Sequence, residues 1–307
     1  MKIHDPLIFS TDQYKYLKDS ICELGNFEIG NIENKLFPDG ELYQRITSKV
    51  VDRDIVLIGG TTSDSNTLQI YDLSCAMVKY GAKTLTLIVP YYGYSTMERA
   101  IKDGEVVKAK TRARLFSSIP QASEGNRIVL VDLHSEGIPH YFEGSIRAIH
   151  LYAKDVIIDA IKTVAGEDDF VLASTDAGRA KWVESLAFDI GVTPSFIYKK
   201  RLSGEETKVS AINAHVEGKH AVIYDDMIRT GSSLINAAKA YLDAGATKVS
   251  AVATHGIFPA NSLQKIKDTN YFQKIICTDS HPRILELKND FLLVKSIDKL
   301  LYQYLIE

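Results

Sequence analysis

The 307 residues hold three cysteines, Cys22, Cys75 and Cys277, and one tryptophan. The cysteines lie far apart. They form no CxxC pair, no zinc-finger spacing and no disulfide framework, so a reducing, cytoplasmic setting is the expectation. Positive charge is not in excess either: 36 Lys and Arg stand against 39 Asp and Glu, a net charge of −3. That excludes duplex nucleic-acid binding driven by phosphate neutralisation. No run approaches the ~18 uncharged apolar residues that a membrane helix needs. The first residues, Met1 to Leu17, include Asp5 and Asp12 and lack an apolar core, unlike a signal peptide. With 45% hydrophobic and 24% charged residues, the composition is that of a globular protein. At about 150 residues per domain, the length suggests two domains or one large α/β domain.

Short apolar runs alternate with stretches of helical length. Ile55 to Ile58 reads as a buried strand ending at Gly59-Gly60. A Ser/Thr-rich loop and a helix from about Thr67 to Tyr80 follow. Gly81 closes that helix, and Thr84 to Val89 is the next strand, stopped by Pro90. The second half repeats the plan: a strand over Ala221 to Tyr224, an acidic and Thr-Gly-Ser-Ser loop, a helix from about Ser233 to Ala244, Gly245, and a strand over Val249 to Thr254. Gly81-Ala82-Lys83 and Gly245-Ala246-Thr247-Lys248 sit at equivalent places. The pattern suggests an internal duplication into two α/β domains, each with a mainly parallel sheet flanked by helices. The boundary falls near His150, giving domains 1–149 and 150–307, because one strand ends with Ile128 to Asp132 and another begins with Phe170 to Ser174. The polar stretch from Gly204 to Ala214 reads as an exposed loop.

The sharpest local signal is Tyr224-Asp225-Asp226-Met227-Ile228-Arg229-Thr230-Gly231-Ser232-Ser233. Two adjacent carboxylates at the C-terminal end of a strand stand where α/β sheets bind ligands. The small residues after them let backbone N–H groups and a helix N-terminus surround an anion. Acids beside a phosphate cradle suit a sugar phosphate: Asp225 and Asp226 take hydroxyls, and Thr230 to Ser233 takes the phosphate. The plainer alternative is a capping turn with exposed acids, although adjacent carboxylates are electrostatically costly without a ligand or metal.

This stretch resembles the phosphoribosyl-diphosphate signature of type I phosphoribosyltransferase-like folds. Five further regions make the chain similar to the ribose-phosphate pyrophosphokinases. Phe37-Pro38-Asp39-Gly40-Glu41 resembles that family's adenine-contacting segment, and Pro90-Tyr91-Tyr92-Gly93-Tyr94-Ser95 its aromatic nucleotide loop. Asp132-Leu133-His134 resembles its metal–nucleotide strand end. Thr175-Asp176-Ala177-Gly178 and Lys199-Lys200-Arg201 resemble its ribose-side acid and its catalytic basic loop. Alone, each has an ordinary reading: His134 as a strand-end histidine, Asp176 as a turn residue, Lys199 to Arg201 as a solvated edge, Phe37 to Glu41 as a Pro-Asp-Gly turn. Together they run in family order from Phe37 to Thr254-His255-Gly256.

The resemblance implies two tandem phosphoribosyltransferase-like domains, the first on the nucleotide side and the second carrying the acceptor loop. It implies transfer of a diphosphoryl group from ATP to the anomeric hydroxyl of ribose 5-phosphate, with release of AMP. It implies adenine contacts from Phe37, Asp39 and Glu41, reaching into a neighbouring subunit's site. It implies Mg²⁺ bound by His134 and Asp176, ribose hydroxyls held by Asp225 and Asp226, and Lys199 and Arg201 closing over the β-phosphate. A homo-oligomer, dimer or hexamer, follows from the same resemblance.

The chain departs from the family at three places. The nucleotide loop continues Thr96-Met97-Glu98-Arg99 where the family has Arg-Gln-Asp-Arg, so a triphosphate-contacting arginine has become Thr96. Arg99 or Lys102 compensates, or the nucleotide is held differently. After His134 the chain reads Gly137-Ile138-Pro139-His140-Tyr141-Phe142 in place of a glutamine and Gly-Phe-Phe. Before Thr230, Arg229 replaces the usual Asp, a change of about two charge units that suits an acceptor carrying more negative charge, such as ADP-ribose; the alternative is an Arg229 that points to solvent. A non-catalytic regulatory relative would have lost the basic loop or the acid pair, and both remain. A phosphoribosyltransferase consuming phosphoribosyl diphosphate would share Asp225 to Ser233 but not the remaining features. G-x-G-x-x-G and G-x-x-x-x-G-K-[ST] are both missing from the sequence, which excludes a dinucleotide-dependent dehydrogenase and a P-loop kinase.

Overall fold

The computed structural model describes residues 5–175, 178, 180–203, 206–212 and 215–307, with the backbone alone over 198–203 and 206–211. The chain divides into two compact units, one of residues up to Tyr152 together with Ile297–Glu307, the other Ala153–Ser296.

The first unit opens with β1 (Leu7–Ser10), α1 (Lys15–Gly25) and β2 (Glu28–Ile29). A hairpin of β3 (Ile32–Leu36) and β4 (Leu42–Ile46) follows, then β5 (Asp54–Ile58), α2 (Asp64–Lys79), β6 (Thr84–Val89), α3 (Lys108–Ser117), β7 (Asn126–Val131) and β8 (Ile146–Leu151). The second unit runs α4 (Lys154–Ala165), β9 (Phe170–Ser174), α5 (Ala180–Ile190), β10 (Thr193–Ser195), a hairpin of β11 (Ile197–Ser203) and β12 (Glu206–Ile212), β13 (His220–Ile228), α6 (Ser232–Asp243), β14 (Lys248–Gly256), α7 (Ser262–Asp268), β15 (Ile275–Thr278), α8 (Ile284–Leu287) and β16 (Leu292–Lys295). A last helix, α9 (Asp298–Ile306), returns to the first unit and packs on α1.

The first sheet has the order β2-β1-β5-β6-β7-β8 and the second β10-β9-β13-β14-β15-β16. Adding eight to each label of the first gives the second, and each antiparallel hairpin falls between the second and fifth strands of its unit. Neighbouring strands in both six-stranded sheets are parallel. The duplication suggested by two glycine-closed helices thus extends over the whole topology. Every residue of β5 and β6 is buried, as strands covered on both faces require.

Three sequence expectations shift. β6 and β9 occupy the expected residues. α2 begins at Asp64 rather than near Thr67, because the Ser63 hydroxyl accepts the Asn66 N–H at 3.1 Å and caps the helix earlier. β13 continues past Tyr224 to Ile228, since β14 offers ladder partners as far as Gly256. The stretch expected as a loop over 204–214 contains β12, which pairs antiparallel with β11. Its order Glu-Thr-Lys-Val-Ser-Ala-Ile alternates polar and small or apolar residues only weakly, so its polarity masked the strand. The return of α9 to the first unit had no local sequence signal.

Candidate functional site

In the second unit, the acid pair stands inside the C-terminal end of a central strand rather than in the loop after it. Asp225 is half-buried and Asp226 is 3% exposed. The Asp226 backbone N–H donates to Asp225 Oδ1 at 2.9 Å, and the Thr175 hydroxyl, one residue beyond β9, donates to Asp225 Oδ2 at 3.1 Å. Both oxygens of Asp225 are therefore held by fixed donors. The chain then leaves β13 through Arg229 and Thr230, both exposed, and enters α6 at Gly231, whose φ is +80°. A Cβ on Gly231 would stand 2.5 Å from Ile266 Cδ1, so glycine is required by conformation, and a larger residue would also have to push aside the Ile266 tip of α7. Ser232 and Ser233 open the first turn of α6, where backbone N–H groups are unpaired within the helix.

Behind this rim lies a buried polar layer, of which the sequence reading named only Thr254 and His255. The Thr254 carbonyl accepts from Thr278 Oγ1 at 2.6 Å and from Ser280 Oγ at 3.0 Å. With the serine proton directed at that carbonyl, the His255 Nδ1 contact to Ser280 Oγ at 2.8 Å leaves Nδ1 as the donor. His281, 8% exposed, accepts the Arg283 N–H at Nδ1. Burial, and then the neighbouring His255 and Arg283, push its pKa down to about 4.

Lys199, Lys200 and Arg201 stand on β11, opposite Val209, Lys208 and Thr207 of β12. They belong to a hairpin strand and not to a free loop. Asp176 lies outside the described residues.

In the first unit, Phe37 to Glu41 is the tip of the β3–β4 hairpin. Phe37 N–H donates to the Glu41 carbonyl at 2.8 Å, Gly40 N–H to the Phe37 carbonyl at 2.9 Å, and Glu41 N–H to Asp39 Oδ1 at 3.1 Å. Gly40 takes φ +92°, the conformation that the Pro-Asp-Gly order serves. Leu36 is 69% exposed, and Phe37, Leu42 and Tyr43 are exposed beside it.

The aromatic loop after β6 is anchored at its base. Thr61 Oγ1 accepts the Gly93 N–H at 2.6 Å, Tyr92 OH donates to the Ala109 carbonyl at 2.9 Å, and Tyr141 OH donates to the Glu98 carbonyl at 2.6 Å. The Ile138–Tyr141 turn, which departs from the family pattern, thus holds this loop. Thr96 and Met97 are exposed, and Arg99 pairs with its neighbour Glu98 at 3.4 Å while remaining 76% exposed. His134 follows β7, after Asp132, a buried non-glycine residue at φ +38°. The Leu133 N–H beside it donates to His150 Nε2 at 2.9 Å. Among the described residues, no three His, Cys, Asp or Glu side chains form a metal-sized group.

Asp64, Lys108 and Arg112 gather around Tyr94 of the same loop, and the sequence reading missed these three. Their one sequence signal was the i, i+4 spacing of Lys108 and Arg112 in Lys-Ala-Lys-Thr-Arg-Ala-Arg.

The first unit matches the model for the N-terminal domain of ribose phosphate pyrophosphokinase over residues 6–119, and residues 190–302 match the phosphoribosyl synthetase-associated domain. A ribose-phosphate pyrophosphokinase of Saccharolobus solfataricus is 31% identical over 256 residues, covering 82% of this chain and 85% of its own. Another from Fusobacterium nucleatum is 30% identical over 294 residues, covering 95% and 91%. In structure, the phosphoribosylpyrophosphate synthetase of Mycobacterium smegmatis superposes with a TM-score of 0.85 over 98% of both chains at 24% identity. That likeness shows the fold. No helix among the described residues is long and apolar enough to cross a membrane.

Proposed function

Because the chain belongs to the ribose-phosphate pyrophosphokinase family, we propose that it is a transferase that moves a diphosphoryl group from ATP to the anomeric hydroxyl of a ribose 5-phosphate moiety, releasing AMP. The observation that carries this reading is the acceptor rim of the second unit. Asp225 is oriented by Thr175 and by the Asp226 N–H, and it opens directly onto the glycine turn and first turn of α6. Carboxylates hold the ribose hydroxyls, and the helix N-terminus holds the 5-phosphate.

The roles divide between the two domains, with nucleotide contacts on the first and acceptor contacts on the second. Phe37, Asp39 and Glu41 receive the adenine. Asp225 and Asp226 fix the ribose so that its 1-oxygen faces the β-phosphorus. Lys199 and Arg201 offset the charge that builds on the transferred group, a task of positioning and electrostatics more than covalent chemistry. His134 and Asp176 would be the residues that hold Mg²⁺. An imidazole and a carboxylate are a small donor set for this ion, which fits a metal that keeps water and nucleotide phosphates as its remaining ligands. When bound, it neutralises phosphate charge. The exposed Leu36, Phe37, Leu42 and Tyr43 on a hairpin outside the sheet support docking of this tip on a second copy, in a homo-oligomer.

Arg229 favours a second reading of the acceptor. It is exposed on the rim between the acids and the phosphate turn, where a guanidinium would meet the second phosphate of a larger 5-phosphate ester such as ADP-ribose. The test is one incubation series with ATP, Mg²⁺ and either ribose 5-phosphate or ADP-ribose, read by mass spectrometry for AMP and for an acceptor one diphosphate heavier. Product from ribose 5-phosphate makes this a conventional synthase. Product from ADP-ribose alone makes Arg229 a specificity residue, and Arg229→Asp should then reverse the preference. No AMP with either acceptor would sink the transferase reading and favour a regulatory relative.

A further inference from the structure

The nucleotide loop has Thr96 where the family resemblance led one to expect an arginine. Arg99 is exposed and pairs with its neighbour Glu98. Lys102 is exposed on the same loop. The cations near the loop's aromatic centre come instead from α3.

Lys108 and Arg112 lie one helical turn apart on one face of α3 and flank Tyr94. Lys108 Nζ is 4.5 Å from the Tyr94 ring centroid, and the Arg112 guanidinium carbon is 5.4 Å from it. Tyr94 takes φ +62°, a conformation that costs a bulky residue energy and is held by its surroundings. Its hydroxyl donates to Asp64 Oδ1 at 2.9 Å, and Arg112 Nη2 donates to the same oxygen at 2.7 Å. Asp64 stands in the first turn of the 16-residue α2. The group thus has two cations and one carboxylate, at the positive end of a helix.

The match between Arg112 and Asp64 is incomplete. A guanidinium and a carboxylate can pair through two parallel hydrogen bonds, yet Arg112 reaches Asp64 through Nη2. Its Nε is buried and, among the described residues, finds no hydrogen-bond acceptor. A phosphate oxygen can replace Asp64 Oδ1 at Nη2, and release from Asp64 frees the guanidinium to turn its enclosed Nε toward a second oxygen, with Lys108 one turn away for the next phosphate.

We propose that Arg112 and Lys108 receive the polyphosphate of the nucleotide in the first unit, and that Asp64 is an internal anion that holds Arg112 in place until the nucleotide displaces it. The inference rests on the nucleotide reading of this unit given above. It adds the residues that replace the missing arginine and a carboxylate that competes with the substrate.

The test is equilibrium binding of ATP and of AMP to the full-length protein by calorimetry, with inorganic tripolyphosphate as competitor. Arg112→Ala should weaken ATP at least tenfold and AMP much less, Arg112→Lys should recover part of the loss, and Lys108→Ala should weaken ATP severalfold. Asp64→Asn should tighten both ATP and tripolyphosphate severalfold. An unchanged ATP affinity in Arg112→Ala, or equal losses for ATP and AMP, would show the group to be a structural tie between α2 and α3. If Arg112→Ala does not fold, Asp64→Asn decides: unchanged or weakened ATP binding overturns the proposal. Binding is measured without turnover, so a wild-type protein that binds ATP but forms no AMP sinks the transferase reading and leaves this one standing.

Discussion

The hydroxyl of Thr175, just beyond β9, donates to Asp225 Oδ2 on β13 over 3.1 Å. With the Asp226 N–H on the other oxygen, it fixes the plane in which this carboxylate meets a ligand. A hydrogen bond to a charged group is worth about 1.5–3 kcal/mol. Thr175→Val keeps the shape and removes the donor. It should raise the acceptor KM roughly tenfold while leaving the ATP KM nearly unchanged. Equal effects on both substrates would point to a general distortion of the sheet end.

Lys199 is tested through the split between rate and binding. A donor that acts mainly on charge developing during transfer affects kcat more than KM. Lys199→Ala should lower kcat by about 10²- to 10³-fold, as removal of one such donor does elsewhere, with a smaller change in either KM. Full activity would remove Lys199 from the mechanism.

Gly231 connects the fold to the phosphate cradle. Alanine there meets two obstacles: φ of +80° and an approach of 2.5 Å to Ile266 Cδ1. Left-handed strain in a non-glycine residue costs about 1–3 kcal/mol. The isoleucine tip can move, whereas the backbone cannot. Gly231→Ala should therefore lower stability by about that amount in urea unfolding, and adding Ile266→Val should recover only the steric share. Complete recovery would mean that the dihedral strain is negligible.

Much of this site was legible locally. β6 and β9 could be read to the residue, because buried parallel strands carry mostly apolar runs, here with only Thr84, Thr86 and Ser174 as polar members. The acid pair and its glycine turn stood out because their chemistry is contiguous. What could not be read depended on partners distant in sequence. β13 runs on to Ile228 only because β14 pairs with it. β12 is a strand because β11 lies beside it. Arg112 became notable only once Asp64, 48 residues earlier, was found against it. The placement of α9 on α1 leaves no trace in the periodicity of either helix.

Two buried histidines should make the second unit sensitive to acid. His220, 1% exposed, contacts Asp168 at 3.1 Å through Nδ1 and Ser250 at 3.0 Å through Nε2; Lys248 also binds Asp168. Burial lowers its pKa despite the Asp168 pair. His281 is pushed from 6.5 to about 4. In both, the folded state disfavours a proton that the unfolded chain takes up. Stability is therefore complete above about pH 6.5 and falls as the pH drops, levelling off for His281 below about 4. At 1.36 kcal/mol per pKa unit, His281 alone accounts for about 3 kcal/mol. Urea midpoints should fall between pH 7.5 and pH 4.5. His281→Asn, which keeps an acceptor for the Arg283 N–H, should flatten that decline. An equally steep decline in the variant would assign the acid sensitivity to other groups.

The hairpin tip and the acid pair offer a test of whether sites are shared between copies. Phe37 and Glu41 stand on an exposed hairpin with apolar neighbours, and Asp225 stands on the second unit. If the tip of one copy completes the site of another, Phe37→Ala with Glu41→Ala damages the neighbour's site, while Asp225→Asn damages its own. Each variant should be nearly inactive alone. Mixed after partial unfolding and refolding, they should regain activity: random pairing of two variants in a symmetric dimer leaves roughly a quarter of sites with every native residue. Recovery near that fraction, together with a mass above one chain in light scattering, establishes the shared site. A mixture no more active than its parents would place the hairpin and the acids of one site on the same chain.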